Sequence, residues 1–286
     1  MVNWYVYSLI ALLLLGGQRF LYKVAAERHC SSGITTAVFM LTVTCLSGAM
    51  LLWSGDQVLA VPTLFLLSFG NSSSFALATI ANIESLKYLP AGISFPLTRL
   101  SLVVVVFAAV LMFDEQFTLS HWCGLVLACA VVVVTALDIR GKSRMTRPDR
   151  IGFLYIAVCI LCGSMAAITS KLAAVMTSKA AFMFLSYAMG TLFSLAIEKK
   201  WGDFKQTNNM ATTLVLGITM GALNFLGFFA FLTALEVGPL STIAVITGMH
   251  FVVAIVLSVA IYRERLSTMR CLAIIGTILT VIVLGS

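Results

Sequence analysis

Long apolar stretches follow one another along the whole chain, separated by short polar breaks. A helix that crosses the hydrocarbon core of a bilayer needs about 20 apolar residues, because each residue adds about 1.5 Å. The strands of a membrane β-barrel alternate apolar and polar residues over about 10 positions, whereas runs such as 102–110 are apolar on every side. The pattern therefore predicts an all-α membrane protein with ten transmembrane helices, at residues 4–22, 34–53, 63–86, 91–112, 121–137, 151–171, 180–197, 211–235, 241–261 and 268–285.

The breaks carry residues that end or start helices. Pro90 and Pro239 each open a span, which suits the first turn of a helix, where a missing N–H leaves no hydrogen bond unmade. The first stretch has no basic start and no small-residue cleavage site after Leu15, so we expect a retained span rather than a signal peptide.

The second half of the chain repeats the first. LKYLPAGI at 86–93 aligns with LEVGPLST at 235–242 at an offset of 149, and YKVAA at 22–26 aligns with SKLAA at 170–174 at an offset of 148. We predict a first five-span repeat at 1–140, a basic connecting loop at 141–150 and a second repeat at 151–286. Because five is odd, the second repeat must enter the bilayer inverted. Secondary transporters use such inverted repeats and bind substrate near the midplane between them.

The composition supports a membrane protein and excludes other classes. Apolar residues make up 60% of the chain and charged residues 10%, against about 45–50% and about 25% in soluble domains. Neither a soluble enzyme nor a disordered chain fits. The chain carries no P-loop, HExxH or GxSxG motif, and its longest hydrophilic stretch, 138–150, is too short for a nucleotide-binding domain. We therefore predict no enzyme activity and no cofactor.

The cysteines and histidines are scattered, so we also expect no metal. Cys159-x-x-Cys162 has the spacing of a redox or zinc pair, but it lies in the middle of a span without a second pair, which favours packing. Gly217-x-x-x-Gly221 in span 8 is a further packing signal, because two glycines on one face let helices approach closely.

The net charge of +7 reports membrane topology rather than binding to nucleic acid. Loops 1–2, 3–4, 5–6, 7–8 and 9–10 hold 14 of the 18 lysines and arginines, whereas the other loops hold Lys179 alone. Lysine and arginine concentrate in cytoplasmic loops. The bias therefore places the first set of loops in the cytoplasm and both termini outside, in a multi-pass protein of the cell membrane.

FDEQFTLSHWCGLVL at 113–127 and YRERLSTMRCLAIIG at 262–276 close the two halves in the same way. With the five-plus-five spans and the prolines that open spans 4 and 9, they resemble the EamA type of the drug/metabolite transporter superfamily. The resemblance implies a secondary carrier of small metabolites, with a central cavity lined by spans 1, 3, 4, 6, 8 and 9. It also implies cytoplasmic termini, opposite to the charge bias. The glycine usual before the glutamate is replaced by Asp114 and Arg263.

Arg99 is the clearest candidate for substrate binding. It lies nine residues into span 4, about 13 Å deep, where an ionised side chain costs about 2.5–3.5 kcal/mol on insertion scales. One interpretation is a cavity group that binds a carboxylate or phosphate. The other is an internal salt bridge or a cap on backbone carbonyls.

Further candidates for the cavity are polar or aromatic residues in the spans. His250, equally deep in span 9, is either a neutral histidine hydrogen-bonded in the bundle or a group that couples transport to protons. Gln18, Asn71 and Asn224 either line the cavity or bond between helices. Tyr187, with the phenylalanines near 225–231, either forms a cage for a quaternary ammonium group or faces lipid.

Charged residues near the ends of spans are candidates for gates or coupling. Glu84 ends span 3 on the same side as Arg19 and Lys23, so we expect pairing among these three, or a gate there. On the opposite side, Lys171 and Glu236 end spans 6 and 8 and are expected to form a second pair.

These features predict alternating-access transport of a small polar metabolite, anionic or zwitterionic, across a lipid bilayer. Protons are a candidate coupling ion. A membrane scaffold that moves no solute is the alternative. Ten spans can enclose a cavity alone, so a monomer suffices and a homodimer stays open.

Overall fold

The computed structural model of the chain describes residues 3–54, 61–89, 94, 97–98, 100–113, 119–137, 147–201, 210–262 and 268–285. These residues contain eleven α-helices, which together form an all-α membrane protein. The helices are α1 (Trp4–Glu27), α2 (Ser32–Ser54), α3 (Val61–Tyr88), α4 (Ser101–Phe113), α5 (Leu119–Leu137), α6 (Arg147–Met176), α7 (Lys179–Trp201), α8 (Met210–Val237), α9 (Leu240–Gly248), α10 (His250–Tyr262) and α11 (Thr268–Gly285).

Seven segments of the described chain are long and apolar enough to cross a bilayer, and the last of them, Leu240–Ile261, combines α9 with most of α10. Local signals set several ends. Asn3 Oδ1 accepts a hydrogen bond from the Tyr5 N–H at 3.1 Å and caps α1. Pro239 precedes α9 with φ −70°, which confirms its predicted place at a helix start, whereas Pro90 lies outside the described residues.

Contacts between helix ends define two faces of the bundle. Gly238, after α8, packs against Trp4 at the start of α1, on what we call the Trp4 face. On the other side, which we call the Gly33 face, Gly33 at the start of α2 packs against Glu198 near the end of α7. Gly152 near the start of α6 packs against Leu89 after α3 on that same face. Helix α1 therefore runs from the Trp4 face to the Gly33 face, and α6 runs the opposite way.

Glycines let the helices approach closely. A Cβ on Gly217 of α8 would lie 2.7 Å from Val38 Cγ1 of α2, and a Cβ on Gly221 would lie 2.5 Å from Thr42 Cβ. The packing role predicted for Gly217-x-x-x-Gly221 is confirmed. Gly16 of α1 allows α1 to approach α10 in the same way. A Cβ on Gly16 would overlap the Val253 side chain and lie 3.0 Å from the His250 carbonyl oxygen.

Spans 4 and 9 share a backbone irregularity. Between α9 and α10, the Met249 N–H bonds to the Ile246 carbonyl at 3.1 Å, and the Val252 N–H bonds to the Met249 carbonyl at 3.0 Å. Before α4, the Leu100 N–H bonds to the Leu97 carbonyl at 3.0 Å, and the Val103 N–H bonds to the Leu100 carbonyl at 3.1 Å. Met249 and Leu100 are 149 residues apart, which is the offset that aligns the two halves of the sequence.

Candidate functional site

A cavity of about 150 Å³ lies between helices of the two halves. Its walls come from α1, α3, Thr98 with α4, α6, α8, and the junction of α9 and α10. These are spans 1, 3, 4, 6, 8 and 9, which are the six that the resemblance implies. Both backbone irregularities border the cavity, since Thr98 and Ser101 lie on one side and Thr247 and His250 on the other.

Arg19 and His250 meet at this cavity, although they are 231 residues apart. Arg19 Nε donates a hydrogen bond to His250 Nε2 at 2.9 Å, and its guanidinium lies 5.1 Å from the centre of the Tyr22 ring. Gly16, one turn earlier in α1, permits the close approach of α1 to α10 that makes this contact. His250 Nδ1 lies 2.5 Å from the Thr247 carbonyl oxygen. His250 is therefore a hydrogen-bonded residue of the bundle that also lines the cavity.

Gln18 and Asn224 lie in a hydrogen-bonded chain that crosses between the halves. Tyr187 donates to Asn224 Oδ1 at 2.5 Å, Asn224 Nδ2 donates to Gln18 Oε1 at 2.9 Å, and Gln18 Nε2 donates to the Tyr22 hydroxyl at 2.9 Å. All four side chains are buried. Gln18, Asn224 and Tyr22 also border the cavity. The amides of Gln18 and Asn224 therefore bond between helices and line the cavity at the same time.

Asn71 joins α3 to α6 on another wall of the cavity. Its Nδ2 lies 2.9 Å from the Ala166 carbonyl, 3.0 Å from Ser170 Oγ and 3.1 Å from Thr169 Oγ1. The neighbouring Ser72 and Ser73 bond to the carbonyl of Phe69 on their own helix, as serines in membrane helices commonly do.

Tyr187 lies behind the cavity wall rather than in it. Phe75 and Phe228 line the cavity, and the Tyr187 ring packs edge-on against both, at centroid distances of 5.8 Å and 5.7 Å. Tyr187 is not among the described residues that line the cavity, and its hydroxyl donates to Asn224, so its ring supports the lining aromatics from behind. Phe75 was not among the sequence candidates, although it follows Asn71 by four residues and so shares its helix face.

Arg99 lies outside the described residues, so its place stays a prediction. Its neighbour Thr98 is buried and borders the cavity.

On the Gly33 face, the partners of Glu84 differ from the prediction. Glu84 Oε1 accepts from Ser32 Oγ at 2.5 Å and from Lys87 Nζ at 2.7 Å. Lys23 forms an ion pair with Glu27 at 3.6 Å, and Arg19 is turned toward His250. Each carboxylate thus pairs with a lysine on its own helix, three or four residues away, where side chains are neighbours.

On the Trp4 face, the expected Lys171–Glu236 pair is replaced by two separate contacts. Lys171 Nζ donates to the carbonyl oxygens of Leu235 and Gly238, both at 2.8 Å. These carbonyls belong to the end of α8, where cations are favoured because the last carbonyls of a helix lack partners. Glu236 instead forms an ion pair with Lys179 at the start of α7.

Glu198 is a buried carboxyl that the sequence analysis missed. It is 5% exposed, and its Oε1 has no hydrogen-bond partner among the described residues. The predicted span 180–197 stops one residue short of it. A helical spacing signal was available, because Tyr187, Thr191, Ser194 and Glu198 follow one another at intervals of four, three and four residues, and all four are buried.

Comparison with known proteins places the chain in a family. The profile of the EamA-like transporter family matches residues 2–137 and 150–286. A solved crystal structure covers 95% of each chain with a TM-score of 0.74 at 14% identity, which shows a shared fold.

Two curated relatives are named probable 4-amino-4-deoxy-L-arabinose-phosphoundecaprenol flippase subunit ArnE. The protein of Escherichia coli O81 (strain ED1a) is 36% identical over 58 residues, or 20% of this chain and 52% of the relative. That of Escherichia coli O45:K1 (strain S88 / ExPEC) is 34% identical over the same shares. The match therefore spans about half the length of these relatives. Because the family profile covers both halves, the chain belongs to the EamA-like transporter family, a family of multi-pass membrane transporters rather than of enzymes.

Proposed function

We propose that the chain is a secondary active transporter that carries a small metabolite with an anionic group, by alternating access around the cavity. The observation that carries this proposal is the hydrogen bonding of the Arg19 guanidinium. Its Nε is used by His250, but its two terminal amino groups make no hydrogen bond to any residue that the structure describes. A guanidinium presents its donors as a planar fork that matches a carboxylate or phosphate.

The rest of the cavity suits a small organic anion. No Asp or Glu is found among the described lining residues, so a bound anion would face no carboxylate there. Phe75 and Phe228 supply an apolar wall, while Asn71 and Gln18 supply polar groups. A cavity of this volume holds a molecule about as large as benzene.

The architecture supports alternating access. Helices α1 and α6 occupy equivalent places in the repeats but run in opposite directions, as an inverted repeat requires. The Glu84 contacts on the Gly33 face and the Lys171 and Glu236 contacts on the Trp4 face are the candidate gates. They tie helices of the bundle together at opposite ends of the cavity.

A second substrate class comes from the curated relatives. Their name describes flipping of an amino sugar linked through phosphate to a polyprenyl lipid, and a phosphodiester would also pair with Arg19. The small volume of the cavity favours a small soluble anion over such a lipid.

The test uses the full-length chain, purified and reconstituted in liposomes. A thermal-shift screen of metabolites, arranged as ionised compounds and their neutral analogues, identifies ligands, because a ligand of the folded state raises apparent stability. Uptake of a radiolabelled hit follows. We expect Arg19→Gln to lower uptake at least about tenfold, because a bidentate charge-assisted contact is removed. Arg99→Ala is expected to abolish uptake while leaving expression intact.

The control is Arg28→Gln, since Arg28 is exposed beyond the end of α1. Unchanged uptake in Arg19→Gln would remove the site assignment. A chain that binds no anion and moves no solute would favour the scaffold instead.

A further inference from the structure

Helix α6 lines the cavity with small side chains only. Its lining residues follow one another mostly at intervals of three or four, so they share one side of the helix. They are Cys159, Gly163, Ala166, Ala167 and Ser170. The bulky side chains of the apolar wall come instead from α3 and α8. The small residues of α6 therefore decide how much room is left beside the phenylalanines.

Gly163 is the smallest of these residues, and helix packing does not explain it. A Cβ on Gly163 would have no atom of another described residue within 4 Å, whereas a Cβ on Gly217 or Gly221 would lie 2.7 Å or 2.5 Å from α2. Glycine weakens a helix relative to alanine, and in membrane helices close packing commonly offsets that cost. Gly163 makes no such close contact with the described residues, and the volume that it leaves open belongs to the cavity.

Contacts on either side of Gly163 hold α6 in this orientation. Ser164 Oγ donates to the Ser101 carbonyl of α4 at 3.2 Å. Asn71 Nδ2 of α3 donates to the Ala166 carbonyl at 2.9 Å. Hydrogen bonds between membrane helices stabilise one arrangement of the two partners. Gly163 is thus held toward the cavity by contacts with both α3 and α4.

We infer that Gly163 is a specificity-determining residue: the space beside it receives the apolar body of the anion that Arg19 binds, and the size of the side chain at this position sets the largest anion admitted. The inference rests on the proposed function, because it concerns the same anion site. A cavity of about 150 Å³ has room for one molecule about as large as benzene, so a ligand that pairs with Arg19 also lies against α6. The substrate class is then a carboxylate or phosphate on a compact apolar body.

The experiment compares two carboxylates of different size on the purified full-length chain in detergent. Benzoate carries an apolar ring, and acetate carries a methyl group. Thermal unfolding at increasing concentrations of each, with chloride at matched concentrations as the reference, gives the affinities, because a ligand of the folded state raises apparent stability. The wild-type chain should bind benzoate at least about tenfold more tightly than acetate, since the ring buries more apolar surface.

Gly163→Leu should lower the affinity for benzoate at least about tenfold and that for acetate less than about threefold, because the new side chain takes the place of the ring but not of the carboxylate. Gly163→Ala should fold like the wild type and weaken benzoate binding by a smaller factor. Gly70→Leu is the matched control, since Gly70 lies within α3 and is not among the described residues that line the cavity. The nearest atom to a Cβ there is 3.7 Å away, and both affinities should stay unchanged.

A cysteine at the same position reports the site without a bulky side chain, and it decides the matter if Gly163→Leu does not fold. Gly163→Cys is placed in a chain from which the seven native cysteines have been removed. A small methanethiosulfonate reagent should modify it, and benzoate should slow the reaction in proportion to its occupancy. Benzamide at the same concentration should not slow it, because a neutral amide lacks the charge that Arg19 binds.

The outcomes separate the two proposals. Benzoate binding by Gly163→Leu as tight as by the wild type, or a Gly163→Cys thiol that benzoate does not protect, would overturn the role of Gly163 and leave the anion site standing. Equal losses of benzoate and acetate affinity in Gly163→Leu would also overturn it, because a size limit affects the larger anion more. Failure of the wild-type chain to bind either anion would overturn the anion site, and this inference with it.

Discussion

Buried polar side chains organise the interior of the bundle residue by residue. The chain from Tyr187 through Asn224 and Gln18 to Tyr22 satisfies groups on three helices at once, and Asn71 does the same between α3 and α6. An amide buried there without a partner loses its hydrogen bonds to water and forms none with the protein, which costs free energy. These residues therefore have a structural role that is separate from any contact with substrate.

Asn224→Leu should destabilise the protein by about 1–2 kcal/mol, because two interhelical hydrogen bonds are lost and the Tyr187 hydroxyl and Gln18 carbonyl oxygen are left unpaired. Equilibrium unfolding in mixed micelles measures the change. Thr219→Val on the same helix is the control, since Thr219 is exposed and bonds only to the carbonyl one turn earlier. Equal stability of the two variants would contradict the structural role of Asn224.

At the scale of helices, small residues decide which surfaces can meet. Gly217 and Gly221 bring α8 against α2, and Gly16 brings α1 against α10. The second of these contacts positions Arg19 beside His250, so the hydrogen bond between them depends on a glycine in α1. The irregularities at Leu100 and Met249 interrupt the two spans where they border the cavity, and discontinuous helices border the substrate sites of many secondary transporters.

Gly221→Ala should destabilise the bundle by about 1–3 kcal/mol, because the new Cβ would lie 2.5 Å from Thr42 Cβ and 2.9 Å from the Phe39 carbonyl oxygen, so the helices must separate. Thermal unfolding in detergent reports the loss. In Gly70→Ala the nearest atom to the new Cβ is Thr169 Cγ2 at 3.7 Å, an ordinary contact, so little change is expected. A Gly221→Ala variant as stable as Gly70→Ala would show that α2 and α8 can separate without cost.

The whole molecule is a helical bundle with two opposite faces. Lys87 and Glu198 lie at the Gly33 face, whereas Lys179, Glu236 and the start of α1 lie at the Trp4 face. The basic loops predicted from the sequence connect helix ends on the Gly33 face. The positive-inside bias therefore places the Gly33 face in the cytoplasm, and we propose this orientation in the cell membrane.

Orientation can be tested with single cysteines in a background from which the seven native cysteines have been removed. Lys179→Cys on the Trp4 face should react with a membrane-impermeant maleimide applied to intact cells. Lys87→Cys, exposed on the Gly33 face, should react only after permeabilisation. The reverse pattern would place both termini in the cytoplasm, as the family resemblance implies.

Local features of the chain were enough to predict much of the fold. Apolar stretches of the right length, prolines at span starts and an offset of 149 residues predict a two-part helical membrane protein, and the Gly217-x-x-x-Gly221 spacing predicts a close helix contact. Membrane helices satisfy their own backbone hydrogen bonds, so each one is encoded within its own segment. That is why hydropathy alone places the helices and why their polar residues stand out.

Partners of the charged and polar side chains depend on how each helix is rotated about its axis and against which neighbour it packs. Hydropathy does not record that rotation, because lipid and a helix neighbour are both apolar surroundings. Arg19 therefore meets His250 rather than Glu84, Lys171 binds carbonyls rather than Glu236, and Glu198 is buried beside Gly33. Each of these contacts joins residues far apart in the chain, and they come together only when the helices pack.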